Sequence, residues 1–284
     1  MCSSDGCTLL YPDTLGPDVP RLDYDFGADH GRTYRIMKCG RCTHRFAIPT
    51  RRDLWKEYEG VEDPAYMART EERAATFRKL VKRIHRFCPG GRLLDVGCAT
   101  GDFLDSAQAF FDVEGVELSK WSSQIATERG FRVHRSRLPA VSKDSAYDVI
   151  TLWGVIGLFE HPHEEAAAMA RLVKPGGLVC VWTGDMASLP ARILGRKYWY
   201  VMGQYLQLYT ATSLCRMFEM HGFERAWMGT YPFTSSLRLL TNSLGRYPVV
   251  GGVTKALVHR TFLSRVFITL LLPGEMFAIF RKKG

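Results

Sequence analysis

Residues 93–101, which read LLDVGCATG, join a short apolar run to a glycine-rich turn. The run at 93–96 has the length and composition of a buried strand, and residues 102–110, which follow the turn, have a helical pattern. Gly97 and Gly101 would let the backbone approach a ligand closely, and the first turn of a helix offers N–H groups that lack an intrahelical partner. The stretch therefore predicts the first βα unit of a ligand-binding α/β domain.

From residue 91 onward, strand-like runs alternate with helical patterns. Seven apolar runs predict strands, at 92–96, 112–117, 132–134, 147–152, 178–183, 223–231 and 275–281. Helical patterns separate the first five runs, which is typical of βαβ units on a parallel sheet. We expect a seven-stranded, doubly wound, mostly parallel α/β sheet over 91–284. A helical insertion is predicted at about 233–272, with helical signals at 236–244 and 254–271.

The residues before this core divide into two segments. Residues 1–50 are rich in proline, glycine and aspartate and carry four of the eight cysteines. Residues 51–90 have a helical character, because apolar residues of 77–87 recur at helical spacing and basic residues occupy the other face. A Pro-Gly-Gly sequence at 89–91 then ends the helix. We expect 51–90 to form a helical lid or linker.

The overall composition sets limits on function. The chain has 284 residues, 46% hydrophobic content and a formal net charge of +9. A basic surface fits nucleic acid, anionic lipid or acidic substrates, and charge alone does not choose among them. No apolar run approaches the roughly 20 residues that a membrane-spanning helix needs, and the first residues lack the features of a secretory signal. The sequence thus predicts a cytoplasmic location, with peripheral membrane contact left open for the insertion.

A second ligand signal follows the glycine-rich turn. Glu117 ends the second predicted strand, sixteen residues after Gly101. A carboxylate at this strand tip can accept hydrogen bonds from both hydroxyls of a ribose. An ordinary solvent-facing acid at a strand end is the alternative, and the neighbouring turn favours the ribose role.

Four motifs in order resemble those of the class I S-adenosylmethionine-dependent methyltransferases, over about 92–184. They are LLDVGCATGDF at 93–103, GVELS at 115–119, DVI at 148–150 and LVKPGG at 172–177. A dinucleotide-binding dehydrogenase would normally show a G-x-G-x-x-G turn and has no counterpart to the Lys-Pro-Gly-Gly turn. The resemblance implies a Rossmann-like fold and S-adenosylmethionine as cofactor.

The resemblance also implies a pose for the cofactor. The turn would hold the methionine part, Glu117 the ribose and Leu118 the adenine, while Trp153 and Gly154 would lie beside the sulfonium. Many relatives place an aspartate at the position of Ser136 to bind the adenine amine, which serine could do only weakly. The implied cofactor residues are Asp95, Gly97, Cys98, Ala99, Thr100, Gly101, Glu117, Leu118, Ser136, Leu138, Trp153 and Gly154.

The organisation of the whole chain resembles bacterial methyltransferases of sugars and secondary metabolites that begin with a zinc-ribbon-like segment. In that group a tyrosine-bearing helix covers the cofactor, so Tyr58, Tyr66 and Arg69 are implied to close the site. Single aromatic residues are more often part of a core, and this alternative stays open for each.

The N-terminal cysteines form two pairs. Cys39 and Cys42 enclose Gly-Arg, a spacing that aims two thiolates at one ion, and Cys2 and Cys7 are separated by four residues. We expect a tetrahedral structural Zn²⁺ held by these four cysteines. Unpaired or residual cysteines are the alternative, and His30 and His44 are substitute ligands.

The usual catalytic groups are absent from the expected places. Relatives often carry Glu-His where Gly157 and Leu158 stand, and a histidine where Tyr205 stands. The remaining candidates are Tyr205, Tyr209, Gln204, Glu160, His161 and His163, and we favour Tyr205, Tyr209 and Gln204. His161 and His163 lie at a helix start that also carries Glu164 and Glu165, where capping and surface roles are favoured.

The sequence predicts a methyltransferase that acts on a small molecule, a sugar or secondary metabolite, positioned by aromatic residues without a histidine base. One alternative uses the sulfonium for intramolecular cyclisation of the aminocarboxypropyl chain, with release of methylthioadenosine. Methylation of ribosomal RNA is another, but the N-terminal segment is acidic and a base-methylation signature is missing. A non-catalytic interaction protein with the same fold is the third.

Overall fold

The computed structural model describes residues 6–16, 22, 31–49, 53–142, 144, 146–237 and 266–284. These residues form strands β1 (Cys7–Tyr11), β2 (Arg35–Cys39), β3 (Arg45–Ile48), β4 (Arg92–Val96), β5 (Asp112–Val116), β6 (Arg132–His134), β7 (Tyr147–Trp153), β8 (Val173–Gly184), β9 (Gln207–Leu208), β10 (Phe223–Ser236) and β11 (Phe267–Lys282).

The helices of the described residues are α1 (Pro64–Met67), α2 (Thr70–His85), α3 (Asp102–Ala107), α4 (Lys120–Glu128), α5 (Pro162–Leu172), α6 (Leu189–Leu194) and α7 (Ala211–Met220). Short 3₁₀ helices span Leu54–Gly60, Leu138–Ala140, Ile156–Leu158 and Gly195–Lys197. The predicted helical character of 51–90 is thus confirmed over 54–60, 64–67 and 70–85.

The main sheet has seven strands in the order β10-β11-β8-β7-β4-β5-β6. Strands β4 to β8 are parallel to their neighbours, and β11 runs antiparallel between β8 and β10. The predicted seven-stranded, mostly parallel α/β sheet is therefore confirmed. Its order reverses direction between β4 and β7, which creates a crevice at the carboxyl ends of these strands, where α/β folds bind ligands.

Two layers of helices cover the sheet. On one face, α2 and α3 contribute Phe77, Leu80 and Phe103 to a cluster with Val149 and Phe277 of the strands. On the other face, α5 and α7 bury side chains such as Met169 and Phe218 against the same sheet. The apolar stripe of α2 was visible in the sequence, and its burial fixes the region before the core against the sheet.

The predicted helical insertion is wrong where the structure describes it. Residues 233–236 and 267–271 continue β10 and β11 as one long antiparallel hairpin, with Phe233 opposite Leu270 and Ser236 opposite Phe267. The run from 266 to 272 contains phenylalanine, isoleucine and threonine, which favour an extended ladder over a helix. Residues 238–265, with the rest of the predicted insertion, lie outside the described residues.

A second, four-stranded sheet has the order β1-β2-β3-β9. Its last strand belongs to the core, and Arg45 pairs with Leu208. Tyr34 and Ile36 of the small sheet share an apolar cluster with Tyr198, Tyr205 and other residues of the segment after β8. The segment at the start of the chain therefore packs directly beside the crevice.

Within the residues that the structure describes, no helix is long and apolar enough to cross a membrane.

Candidate active site

A cavity of about 270 Å³ opens at the carboxyl ends of β4, β5 and β7. It is lined by most of the residues that the sequence assigned to a ligand: Tyr66, Arg69, Asp95, Gly97, Cys98, Ala99, Glu117, Leu118, Ser136, Leu138, Trp153, Gly154, Gln204 and Tyr205. Thr100, Gly101 and Tyr209 do not line it. The fold thus brings together side chains from both sides of the crevice and from the segment before the core.

The glycine-rich stretch forms the predicted tight turn between β4 and α3, with both glycines in the left-handed region of the backbone. Gly97 has φ +70° and Gly101 has φ +88°. A Cβ atom on Gly97 would lie 2.4 Å from Cγ2 of Val155, and one on Gly101 would lie 2.9 Å from Phe131. Larger residues at either position would therefore push the turn away from its neighbours. Gly101 and the buried Thr100 shape the turn rather than the cavity wall.

Glu117 links the tip of the second core strand to this turn. Its carboxylate accepts hydrogen bonds from the backbone N–H of Ala99, at 2.9 Å, and of Ser119, at 2.8 Å. The side chain is buried and lines the cavity. Gly97 of the turn and Glu117 therefore belong to one continuous part of the cavity wall, called the ledge below, as the ribose prediction requires.

Asp95 is a second buried carboxyl group of the cavity wall. The hydroxyl of Thr151 on β7 donates to its Oδ1 at 2.6 Å. Burial raises the pKa of Asp95 well above its usual range, and the nearby Glu117 acts in the same direction. The hydrogen bond fixes this side chain between two neighbouring strands.

Arg73 ties the segment before the core to the turn. Its guanidinium donates to Oδ2 of Asp102, the first residue of α3, from Nη2 at 2.6 Å and from Nε at 2.9 Å. Nη1 donates to the carbonyl of Tyr66 at 2.6 Å, and the guanidinium lies 3.4 Å from the centre of the Tyr66 ring. Tyr66, Arg69 and Arg73 all line the cavity, so this segment closes one side of it.

Aromatic residues form another part of the cavity wall. The ring of Trp182 stacks on Tyr231 with centroids 4.2 Å apart and an angle of 15°. Trp153 packs 4.7 Å from Phe103, and its Nε1–H has no hydrogen-bond partner among the described residues. The aromatic rings of Trp153, Trp182 and Tyr231 thus line the cavity, and the buried N–H of Trp153 is a hydrogen-bond donor in its wall.

A buried carboxylate holds this aromatic wall. Glu275 of β11 accepts hydrogen bonds from the indole N–H groups of Trp182 and Trp199 and from the hydroxyl of Tyr200, at 2.6 to 2.8 Å. Burial raises the pKa of Glu275, whereas the three hydrogen bonds act in the opposite direction. Because one acceptor satisfies three donors, it fixes the ring of Trp182 beside the cavity.

A methyltransferase-domain family model matches residues 69–226, more than half of the chain. The chain belongs to the methyltransferase-domain family. It is 36% identical over 120 residues to a ubiquinone biosynthesis O-methyltransferase of Bordetella avium. The matched stretch covers 38% of this chain and 50% of that protein. The chain thus matches about half the length of this curated relative.

Solved structures show the same fold. A SAM-dependent methyltransferase from Archaeoglobus fulgidus aligns with a TM-score of 0.54 and 18% identity, over 78% of this chain and all of that one. A SAM-dependent methyltransferase from Thermotoga maritima, described as a possible histamine N-methyltransferase, aligns with a TM-score of 0.52 and 18% identity, over 78% and 93%. The methyltransferase domain identified from four sequence motifs is therefore confirmed.

The residues of this methyltransferase domain fit S-adenosylmethionine. Gly97 and Glu117 both line the cavity, and the hydrogen bond from the Ala99 N–H joins Glu117 to the turn. An ionised carboxylate accepts hydrogen bonds only, which suits the two hydroxyls of a ribose. The chain would hold the methionine part near Gly97 and the ribose at Glu117.

The two departures from the usual methyltransferase residues are physically connected. A Cβ atom on Gly157 would lie 2.6 Å from Cδ1 of Tyr205 and 3.1 Å from the carbonyl oxygen of Gln207. The ring of Tyr205 therefore takes the space that a side chain at 157 would need. Tyr205 thus requires glycine at 157, and the Glu-His dipeptide of this chain stands three residues further on, at 160 and 161.

Tyr209 lies away from the cavity. Its side chain is buried in the core, and its hydroxyl contacts Sδ of Met217 at 3.2 Å. The sequence left it among the catalytic candidates, but it lies between β9 and α7 and packs in the apolar cluster that contains Met217 and Phe218. This placement gives no support to a catalytic role for Tyr209, whereas Tyr205 and Gln204 stay candidates.

Four further residues line the cavity that the sequence motifs did not indicate: Arg73, Glu165, Trp182 and Tyr231. Glu160 also lines it and was only a lesser candidate. For Arg73 a signal existed, because it lies one helical turn beyond Arg69. The other residues reach the cavity through contacts between distant parts of the chain.

The predicted zinc site is described only in part. Cys7 lies directly opposite Cys39 in the β1–β2 pairing, and Cys42 follows in the turn before β3. Across the described ranges, no group of three or more histidine, cysteine, aspartate or glutamate side chains is placed to hold a metal ion. Cys2 and His30 lie outside those ranges, so the zinc site stays a prediction.

Proposed function

We propose that the protein is an enzyme that transfers the methyl group of S-adenosylmethionine to a small-molecule acceptor. The observation that carries this proposal is the single cavity, which is lined both by the ledge of Gly97 and Glu117 and by the aromatic wall of Trp182 and Tyr231. One continuous space lets a cofactor and an acceptor meet. The family assignment and the SAM-dependent fold support the same reaction.

The chain contributes mainly by placing the reactants. S-adenosylmethionine, when bound, supplies a methyl group on a positively charged sulfur atom. Aromatic ring faces attract a cation within about 6 Å, and Trp153 offers such a face next to Gly154. Holding two reactants in line accounts for a large part of the rate of a displacement reaction. We assign Tyr205 and Gln204 to the binding and orientation of the acceptor.

A phenolic hydroxyl is the acceptor group that the cavity favours. No histidine belongs to the described residues that line it, so an acceptor that ionises easily is advantageous. A phenol loses its proton with a pKa of about 10, far more readily than a sugar hydroxyl does. The relative named ubiquinone biosynthesis O-methyltransferase supports an oxygen atom of a small molecule as the acceptor. A sugar or another secondary metabolite is the second candidate, on the resemblance of the N-terminal segment.

The test is incubation of the purified full chain with S-adenosylmethionine, alone and with 3,4-dihydroxybenzoate or a nucleotide-linked sugar. Mass spectrometry separates S-adenosylhomocysteine from methylthioadenosine. We expect S-adenosylhomocysteine and a methylated product only when an acceptor is present. Release of methylthioadenosine without any acceptor would replace methyl transfer by cyclisation of the aminocarboxypropyl chain. Methylation of the sugar but not of the phenol would show that the acceptor belongs to the second class, sugars or other secondary metabolites.

We also propose a structural zinc ion at Cys2, Cys7, Cys39 and Cys42. Support comes from the β1–β2 pairing, which puts Cys7 beside Cys39, and from the Cys-x-x-Cys turn. Metal analysis of the purified chain should find about one zinc per molecule, and Cys39→Ser with Cys42→Ser should remove it. A zinc content below about one tenth per molecule, with the fold intact, would refute the site.

A further inference from the structure

Ser136 stands where many methyltransferases have an acidic residue for the adenine amine. Ser136, Arg137 and Leu138 form the loop after β6, and all three line the cavity. In the proposed pose Glu117 would hold the ribose, and the attached base would extend toward this loop because β6 is the next strand beyond β5. Residues 135–138 contain no carboxylate, so a charged acceptor for the amine must come from another element.

Glu165 brings a carboxylate to this place from a different element. It lies in the first turn of α5, where the helix dipole favours negative charge. Its Oε1 accepts a hydrogen bond from Nη2 of Arg137 at 2.8 Å. The side chain is 5% exposed and belongs to the cavity wall. Arg137 therefore ties Glu165 to the loop that borders the adenine.

The second oxygen of Glu165 is unsatisfied. Its Oε2 is buried and has no hydrogen-bond partner among the described residues. A buried acceptor without a donor costs free energy, so such a group in a ligand cavity indicates a ligand that supplies an N–H. Burial raises the pKa of Glu165, and the guanidinium of Arg137 opposes that shift.

We propose that Glu165 accepts a hydrogen bond from the exocyclic amine of the adenine and so replaces the acidic residue missing at Ser136. This inference rests on the proposed binding of S-adenosylmethionine. The amine lies on the edge of adenine that is far from the ribose. The carboxylate of Glu165, which lines the same cavity as Glu117 and Leu138, suits that edge. A hydrogen-bond donor on the acceptor molecule has the same chemistry and is the rival source.

The test measures the dissociation constants of two ligands by calorimetry, without any acceptor present. One ligand is S-adenosylhomocysteine, and the other is its analogue with hydrogen in place of the 6-amino group. We expect the wild-type chain to bind the first about tenfold more tightly, the effect of one charged hydrogen bond.

Glu165→Gln should abolish this preference. Arginine only donates hydrogen bonds, so the amide oxygen must turn toward Arg137 and its NH2 group toward the ligand. S-adenosylhomocysteine should then bind about tenfold more weakly, while the affinity for the analogue should stay the same. The unchanged analogue affinity shows that the variant is folded.

Glu164→Gln is the matched control. Glu164 also lies near Arg137, at 3.5 Å, but its side chain is 61% exposed and does not line the cavity. This variant should keep the wild-type preference. An equal preference in the wild type and Glu165→Gln would overturn the inference alone and assign Glu165 to the acceptor. Failure of the wild type to bind S-adenosylhomocysteine at all would overturn the proposed function as well.

Discussion

Tyr205, which we assign to the acceptor, packs directly against Gly157. The close approach of the Tyr205 ring to Gly157 leaves no space for a methyl group. Tyr205 is itself buried and packs 5.0 Å from the ring of Tyr200. Tyr205, which orients the acceptor in the proposed reaction, can therefore take this position only because residue 157 has no side chain.

Gly157→Ala should displace Tyr205 and weaken packing. We expect a loss of about 1–3 kcal/mol in the free energy of unfolding, because the carbonyl of Gln207 blocks the other direction. Turnover of the acceptor should fall, while the affinity for S-adenosylhomocysteine should not change. Urea unfolding and calorimetry measure these effects. Gly60→Ala is the control, because nothing lies within 4 Å of a Cβ there. Equal stability of both variants would contradict the packing argument.

Glu117→Gln should strongly reduce cofactor binding. The carboxylate accepts from two backbone N–H groups, but an amide offers only one oxygen and faces the other N–H with its own NH2. We expect S-adenosylhomocysteine to bind about 10- to 100-fold more weakly, for the loss of one or two hydrogen bonds to a charged group. Calorimetry tests this. Glu128→Gln, an exposed change on α4, should leave the affinity as it is, and a similar loss there would point to a general charge effect.

Local sequence predicts the residues of this site only where one segment supplies both the residue and its context. Glu117 follows its strand and turn directly, so its position was predictable. Arg73 meets Asp102 across 29 residues, and Arg137 meets Glu165 across 28. Such pairs depend on how helices and loops pack, which no local pattern determines.

At the scale of elements, the hairpin of β10 and β11 shows why the last part of the core was misread. Apolar periodicity alone does not separate a buried helix from an extended run. Residues 232–236 and 267–271 are extended because they pair strand to strand. They also pack on α2, where Thr76 Oγ1 accepts a hydrogen bond from the N–H of Thr234 at 3.0 Å. By contrast, the strands from β4 to β7 follow turn signals and were predicted to within a residue, whereas β8 begins at Val173, five residues before the predicted start.

Glu275→Ala should destabilise the fold more than an ordinary surface change. It would leave the two indole N–H groups and the Tyr200 hydroxyl buried without their acceptor, at roughly 1–3 kcal/mol for each unsatisfied group. We expect a loss of at least about 3 kcal/mol in the free energy of unfolding. Glu275→Gln should be milder, because its amide oxygen still accepts. Urea unfolding followed by tryptophan fluorescence tests both variants. Glu219→Ala, an exposed change on α7, is the control, and equal stability of Glu275→Ala and Glu219→Ala would contradict the role of Glu275.

At the scale of the whole molecule, the small sheet is part of the methyltransferase core. Its fourth strand, β9, comes from the core, and Nε2 of His44 donates to Gln207 Oε1 of that strand at 3.1 Å. The buried side chains of Tyr34, Ile36 and Leu208 belong to one cluster. The sequence indicated a separate N-terminal segment because composition changes near residue 50, but composition carries no information about docking.

Ile36→Ala tests whether the two sheets unfold together. Ile36 is fully buried in the shared cluster, so removing its side chain should cost about 2–5 kcal/mol. If the sheets form one cooperative unit, the single thermal transition of the whole chain shifts downward. Leu9→Ala is the control in the same small sheet, because Leu9 is 58% exposed and its loss should hardly change the transition. A new early transition, with the main one unmoved, would instead show that the small sheet folds by itself.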